Sequence, residues 1–451
     1  MNPPTFDIRR HTRLRRTFAA STVLLCSAFI AVAPAADAMK WVGSWSAAPY
    51  DVGANNMPPS PGLAGNSLRQ IVRVSIGGDS VRLKFSNGVG TSALTMNAVT
   101  IAISSAGKDA IDASTLKQLK FGGAAKATIA AGGTVVSDPV AFPLSPSAKV
   151  AITIQYGQVP SPLTGHVGAR GPSYLLSGDK TTAAGFSGAA TTEHWYTINA
   201  LDVWTTSEAG AVAILGNSIT DGYGLTGGLQ NRWTDALSEK LLANASTRNV
   251  GVLNLGIGGT NVASGTTGGS SRYKRDILEQ TGLRWFVVFY GVNDIGGGAT
   301  ANTIIDAYKR MIADAHAKGI KVYGATITPF GGNNYYSVAH EAVRGAVNAW
   351  IRTAGDFDAV IDFDKVVRNP SDTTSFLASL KNDGLHPNVA GYKALGQSVD
   401  LKLFETTPSS VDDFRRSGTS RRSGGLLQVR GGELSVERDA RGIDGRRITA
   451  P

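Results

Sequence analysis

The sequence predicts an α/β protein in which a doubly wound, parallel five-stranded sheet follows a β-sandwich or jelly-roll domain. Three observations predict it. Apolar and polar residues alternate across the first half of the chain. Near Ala211 the pattern changes to nearly continuous apolar runs separated by helix-period stretches. The composition, 42% hydrophobic and 17% charged over 451 residues, is globular and allows two or three domains.

The first element is an export signal. Five Arg between Arg9 and Arg16 form a basic start, Thr22–Val32 an apolar run, and Ala36-Asp37-Ala38 a small-x-small cleavage site. The run is too short to span a bilayer, so a secreted or periplasmic protein without a stable membrane span is expected. Cys26, the single cysteine, lies inside this run and behind a bulky Leu25, which disfavours a lipid attachment. Cleavage after Ala38 leaves a mature chain with no disulfide, no thiolate metal site and no cysteine nucleophile.

Residues 39–206 read as the β-rich domain. Arg69–Phe85 alternates on both sides of Gly77-Gly78-Asp79-Ser80, a hairpin signal. Leu94–Ile103 and Val150–Tyr156 alternate similarly, and no long helical period intervenes. Residues 207–405 read as the second domain. Its strand candidates are Ala211–Leu215, Val250–Leu255, Trp285–Tyr290, Val322–Thr326 and Ala359–Phe363, apolar enough to be buried on both faces. Between Ala301 and Lys318, and again from Val338 behind a Ser337 N-cap, apolar residues recur at helical spacing. That rhythm implies βαβ units and a parallel sheet. Residues 406–451 are rich in Arg, Gly and Ser without periodicity and read as a disordered basic tail.

The formal net charge of +10 sits mostly at the two ends. The first 38 residues hold five Arg against two Asp, and the last 46 hold nine Arg against six acids. A nucleic-acid partner is therefore not expected.

Open parallel sheets form their sites at the carboxyl ends of the strands. Gly216-Asn217-Ser218-Ile219-Thr220-Asp221-Gly222 follows the first strand, at a strand-to-helix turn that suits a nucleophilic serine with an exposed hydroxyl and a free N–H. It is equally a plain Gly-Ser turn. Asn254-Leu255-Gly256-Ile257-Gly258-Gly259-Thr260-Asn261 follows the second, offering backbone oxyanion donors, a phosphate loop or a turn. Gly291-Val292-Asn293-Asp294 follows the third and supplies a side-chain donor or an Asn turn. Asp383-Gly384-Leu385-His386-Pro387 can orient an imidazole base or start a helix.

Taken together and in this order, the four blocks resemble the GDSL-type, or SGNH, hydrolases, over roughly residues 207–405. The resemblance implies a flavodoxin-like sheet. It makes Ser218 the nucleophile, Asp383 and His386 the Asp-x-x-His pair, and Ser218, Gly259 and Asn293 the oxyanion hole. It departs at Asn217, where the family usually has Asp; Asn also accepts a backbone hydrogen bond, so the turn is expected to survive. No metal or organic cofactor is implied, and no His/Asp/Cys cluster has metal-ligand spacing. His166, His194, His316 and His340 receive structural readings, with His194 a candidate for a cleft wall.

The implied reaction is acyl transfer to Ser218 and hydrolysis of the acyl-enzyme, with activity rising through roughly pH 6 to 7 as a histidine base becomes neutral. An exported hydrolase behind a β-sandwich is similar to carbohydrate esterases that remove acetyl groups from polysaccharides. The expected partner is thus an acylated carbohydrate or a lipid ester. Tyr335 and Tyr336, in the loop from Gly331, either stack on a sugar ring or cap the core. Three other readings stay open. One is a lipase or phospholipase. Another is a glycan-binding protein with an inactive hydrolase domain. The third is a metal-dependent phosphoesterase using Asn293-Asp294 and Asp383/His386, although it needs more His and Asp residues at strand ends than the sequence has.

Overall fold

The computed structural model describes residues 38–353 and 355–405. The export signal, Cys26 and the basic tail lie outside the described residues, apart from Ala38 at the cleavage site. No helix among the described residues is long and apolar enough to cross a membrane.

The first half forms two large antiparallel sheets, beside a small one of Trp195–Tyr196, Thr164–His166 and Tyr50–Asp51. One has the order Met39–Ser46, Ile198–Thr206, Gly78–Ser86, Thr134–Val136, with Val140–Leu144 also paired to Gly78–Ser86. The other runs Ala190–Thr192, Ser173–Leu176, Ser67–Arg73, Lys149–Tyr156, Leu94–Ile103, Lys117–Gln118, with Ala127–Ile129 on Leu94–Ile103. Val81, Leu83, Leu201 and Val203 of the first pack in one cluster with Leu68, Val99, Ile152 and Ile154 of the second. Such alternating inward residues make a sandwich core.

The predicted Arg69–Phe85 hairpin does not form. Both runs are strands, but Ser67–Arg73 pairs with Lys149–Tyr156 and Gly78–Ser86 with Ile198–Thr206. The intervening glycines carry the chain from one sheet to the other. A Cβ at Gly77 would lie 2.1 Å from the Leu144 carbonyl oxygen, and one at Gly78 2.5 Å from that of Trp204. Alternation reports which face of a strand is buried, and it is silent about which strand lies alongside.

The second half contains a five-stranded parallel sheet. Its strands are Gly210–Gly216, Val250–Gly256, Leu283–Phe289, Lys321–Ala325 and Ala359–Ile361, in the spatial order second, first, third, fourth, fifth. All five candidates are present. Ala211, Ala213 and Leu215 face a cluster that includes Ile304, Tyr308 and Met311 of helix Ala301–His316 and Val347 of helix Val338–Thr353. Val212 and Ile214 face the opposite cluster, with Trp233 and Leu237 of helix Trp233–Leu242 and Tyr392 and Leu395 of helix Val389–Ser398. Strand residues thus alternate between two helical layers, the doubly wound arrangement. Ser337 Oγ accepts the His340 N–H at 3.0 Å and caps the 338–353 helix.

The sandwich docks on the edge of the parallel sheet. Ser75 Oγ accepts the N–H of Val252 in the outermost strand, and the Gly43 N–H reaches the Thr281 carbonyl, both at 2.9 Å.

Candidate active site

The strand order reverses between the first and third parallel strands, and the loops beyond their carboxyl ends are where such a sheet places its site. Three of the four blocks emerge there directly.

The first strand ends at Gly216, where a Cβ would meet Thr220 Oγ1 at 2.1 Å. Only glycine lets the chain fold back this tightly into the helical turn Ser218–Asp221. Asn217 caps that turn, its Oδ1 accepting the Ile219 N–H at 3.1 Å. The amide serves as the acceptor a carboxylate would have been, so the turn survives the departure from the family pattern.

Ser218 Oγ lies 2.9 Å from His386 Nε2. His386 Nδ1 lies 2.8 Å from Asp383 Oδ2. The other oxygen, Oδ1, accepts the N–H groups of Leu385 at 3.0 Å and His386 at 2.8 Å. Burial works against this carboxylate, but the His386 hydrogen bond and the two backbone N–H groups outweigh it and hold its pKa below the usual value. Three residues predicted from two separate blocks thus form one hydrogen-bonded chain. Ser218 is nevertheless only 6% exposed, where the sequence suggested an open hydroxyl. The Tyr223 ring lies 4.2 Å, centroid to centroid, from that of His386, and Gly258 approaches the serine.

Gly259 and Asn293 belong to one construction. Gly259 has φ of +72°, a backbone state that suits glycine. Asn293 Nδ2 donates to the Thr260 carbonyl at 2.9 Å, tying its side chain to the same turn. The turn touches Ser218 at Gly258, where a Cβ would lie 3.9 Å from that of Ser218.

Two carboxylates hold this turn; sequence reasoning assigned Asp221 no role and Asp294 only that of a possible metal ligand. Asp221 Oδ2 accepts the Gly258 N–H at 3.2 Å. Asp294 accepts those of Val262 at 2.8 Å and Ala263 at 3.0 Å. Asp294 is buried, and burial pushes its carboxyl up despite these backbone donors. Asp221 stood within the Ser218 block and Asp294 beside Asn293, so position in the motif was the available signal. His166, read as structural, bonds through Nε2 to Asp221 Oδ1 at 3.0 Å. Nothing local marks that contact, because the two residues lie 55 apart.

The two tyrosines differ in burial. Tyr335 packs on the core and covers Gly296, where a Cβ would lie 2.5 Å from its ring. Tyr336 is exposed, on a loop whose Gly332 and Asn333 border Gly384 beside His386. His194 bonds to the Val167 carbonyl at 2.7 Å, His316 to Asp358 at the surface, and His340 to the Tyr335 carbonyl. Among the described residues, no group of three or more His, Cys, Asp or Glu could hold a metal ion.

Residues 214–394 match the model of the GDSL-like Lipase/Acylhydrolase family. No curated protein sequence matches the chain. Among solved structures it is similar to a member of the lipolytic protein G-D-S-L family from Veillonella parvula DSM 2008, at 18% identity over 44% of this chain and 98% of that one, with a TM-score of 0.33. A GDSL-like lipase from Bacteroides thetaiotaomicron shares 19% identity over 42% and 84% of the two chains, with a TM-score of 0.31. An acetylxylan esterase from Geobacillus stearothermophilus shares 18% over 42% and 94%, with a TM-score of 0.34. The matched stretch contains all four blocks, from the Ser218 turn to the Asp383–His386 loop, and over it the chain is similar to the GDSL-like Lipase/Acylhydrolase family.

Proposed function

We propose that the protein is an exported serine carboxylic-ester hydrolase that removes short acyl groups, acetyl above all, from carbohydrate. Residues 207–405 form the hydrolase unit and residues 39–206 its β-rich companion. One observation carries the chemistry: the continuous chain Ser218 Oγ, His386 Nε2, His386 Nδ1, Asp383 Oδ2, with links of 2.9 and 2.8 Å.

In that chain Asp383 accepts the Nδ1 proton, which leaves Nε2 as the basic nitrogen facing the serine. His386 takes the Ser218 proton as Oγ attacks the ester carbonyl. The N–H groups of Ser218 and Gly259 and the Asn293 amide stabilise the oxyanion, each donor being worth about 3 kcal/mol of barrier. His386 then protonates the departing alcohol, leaving an acyl group on Ser218. A water deprotonated by His386 attacks that acyl carbon, releases the acid and regenerates the serine. Export rests on the basic, apolar and small-residue order of residues 1–38. The carbohydrate substrate is supported by the exposed rings of Tyr223 and Tyr336 beside the His386 loop, flat faces of the kind on which sugars stack.

The deciding experiment compares the mature protein with Ser218→Ala on p-nitrophenyl esters from acetyl to palmitoyl and on acetylated xylan. Turnover by the wild type alone, best on acetyl and with acetate released from xylan, is the expected result. A preference for long chains would move the substrate to lipids. Inertness of both proteins would leave a glycan-binding role instead.

A further inference from the structure

We infer that His166, carried by the β-rich half of the chain, is a positioning residue for this reaction: through Asp221 it sets the turn that presents the Gly259 N–H. The inference rests on the esterase reading above and assigns a role to a residue outside the hydrolase unit.

His166 lies in the short strand Thr164–His166, paired with Trp195–Tyr196. Its ring is nearly buried between Trp195, stacked at 6.0 Å, and the edge of Tyr50 at 5.7 Å. Nδ1 faces the Ala48 carbonyl at 2.9 Å and Nε2 faces Asp221 at 3.0 Å. The Asp221 carboxylate is equally buried, so its orientation is set by its partners. Oδ1 meets His166 and Oδ2 meets the Gly258 N–H. Gly258 precedes the proposed oxyanion donor, and Asp294 holds the far end of the turn at Val262 and Ala263. His166, Asp221 and Gly258 therefore form a relay of hydrogen bonds from the sandwich to the catalytic loop. The relay is tightly packed: a Cβ at Gly168, two residues beyond His166, would lie 2.0 Å from Asp221 Oδ2.

Proton counting gives this arrangement a distinctive property. A carbonyl and a carboxylate are both acceptors, so both ring nitrogens must donate, or the carboxyl must carry the proton between the two groups. Either way, both hydrogen bonds persist only while one proton beyond neutral histidine and ionised aspartate stays on the pair. The charged and titratable groups around it are Tyr50, Arg73, Arg170, Arg232, Asp235, Arg272 and Tyr392. Asp221→Asn removes that requirement. Its Nδ2 can donate to a neutral Nε2 while its Oδ1 still accepts from Gly258.

The test measures kcat and KM for p-nitrophenyl acetate against pH in wild type, His166→Phe, Gly168→Ala and Asp221→Asn. Amide hydrogen exchange is followed over Gly258–Ala263, with thermal melting as the folding control. His166→Phe keeps the ring and its stacking but has no donor. It and Gly168→Ala are expected to lose kcat by about ten- to a hundredfold with KM within about twofold, the scale of a misplaced catalytic group, and to exchange faster across the turn. Asp221→Asn, whose amide can keep both links, is expected to lose clearly less kcat than His166→Phe. Wild-type kcat in both His166→Phe and Gly168→Ala would overturn the inference, as would an Asp221→Asn loss as deep as that of His166→Phe. If the wild type turns over no ester, the esterase reading fails on its own. The exchange data then decide the His166 relay: unchanged protection of Gly258–Ala263 in a folded His166→Phe protein would overturn it.

Discussion

At the scale of single residues, the difference between Asn and Asp is instructive, because the site uses both. At position 217 only an acceptor is needed, and the Asn217 amide oxygen supplies it to Ile219. At position 383 the side chain must accept three N–H groups, two from the backbone and one from His386. Asp383→Asn can keep the backbone pair on its oxygen, but its NH₂ then faces Nδ1. That favours the tautomer with the proton on Nε2, aimed at Ser218, where a base is required. We expect kcat to fall roughly 10³- to 10⁴-fold with little change in KM, measured on the ester that the wild type prefers. Asn293→Ala removes both a donor and the tie to Thr260, and a fall of about 10²- to 10³-fold is expected. The folded Asp383 carboxyl sits below its unfolded pKa of about 3.9, so its contribution to stability is present above that value. It is lost as the pH falls through the lower folded value. The hydrogen-bonded chain of Ser218, His386 and Asp383 could be anticipated because its members sit in short motifs at a strand or loop end. The role of His166 could not, since it depends on a contact made across the fold.

At the scale of elements, the turn from Gly258 to Ala263 is stabilised by what surrounds it. It contains two glycines, and its backbone donors at 258, 262 and 263 are satisfied by side-chain carboxylates from two other segments. Asp294→Ala leaves two N–H groups without their acceptor. It should lower stability by roughly 2–4 kcal/mol, read by urea unfolding, and reduce kcat in the molecules that remain folded. All five parallel strands could be read from the sequence, because strands buried on both faces are apolar throughout and short. The sandwich strands at 67–86 were also legible as strands, but their pairing was not. A glycine pair suits a tight hairpin and suits equally well a crossing at which backbones approach closely, as Gly77 and Gly78 do. Only the neighbouring Leu144 and Trp204 carbonyls, remote in sequence, distinguish the two.

At the scale of the whole molecule, the apolar core does not stop at the boundary suggested by the change of pattern near Ala211. Val42, Trp45 and Ile76 of the sandwich belong to the same buried cluster as Leu253, Leu255 and Ile277 of the second half. The contact is close enough to require small residues on both sides. A Cβ at Gly43 would lie 2.9 Å from Leu253 Cδ1, and one at Gly251 2.2 Å from the Gly43 carbonyl oxygen. The same face supplies Ser75 to the edge strand, whose N–H groups would otherwise be open to another chain. A hydrolase unit cut free at residue 207 would therefore expose Leu253, an unpaired strand edge and an Asp221 without His166. We expect residues 207–405 alone to aggregate or to bind an apolar dye, and to turn over ester at least tenfold more slowly than the full chain, by the same loss of positioning. In the intact chain, tryptophan fluorescence and activity should be lost at the same urea concentration, because Trp45 and Trp195 line the junction while Ser218 reports the site. A 207–405 fragment that is monomeric, dye-free and fully active would instead make the sandwich an accessory, and the shared core a contact of little energetic consequence.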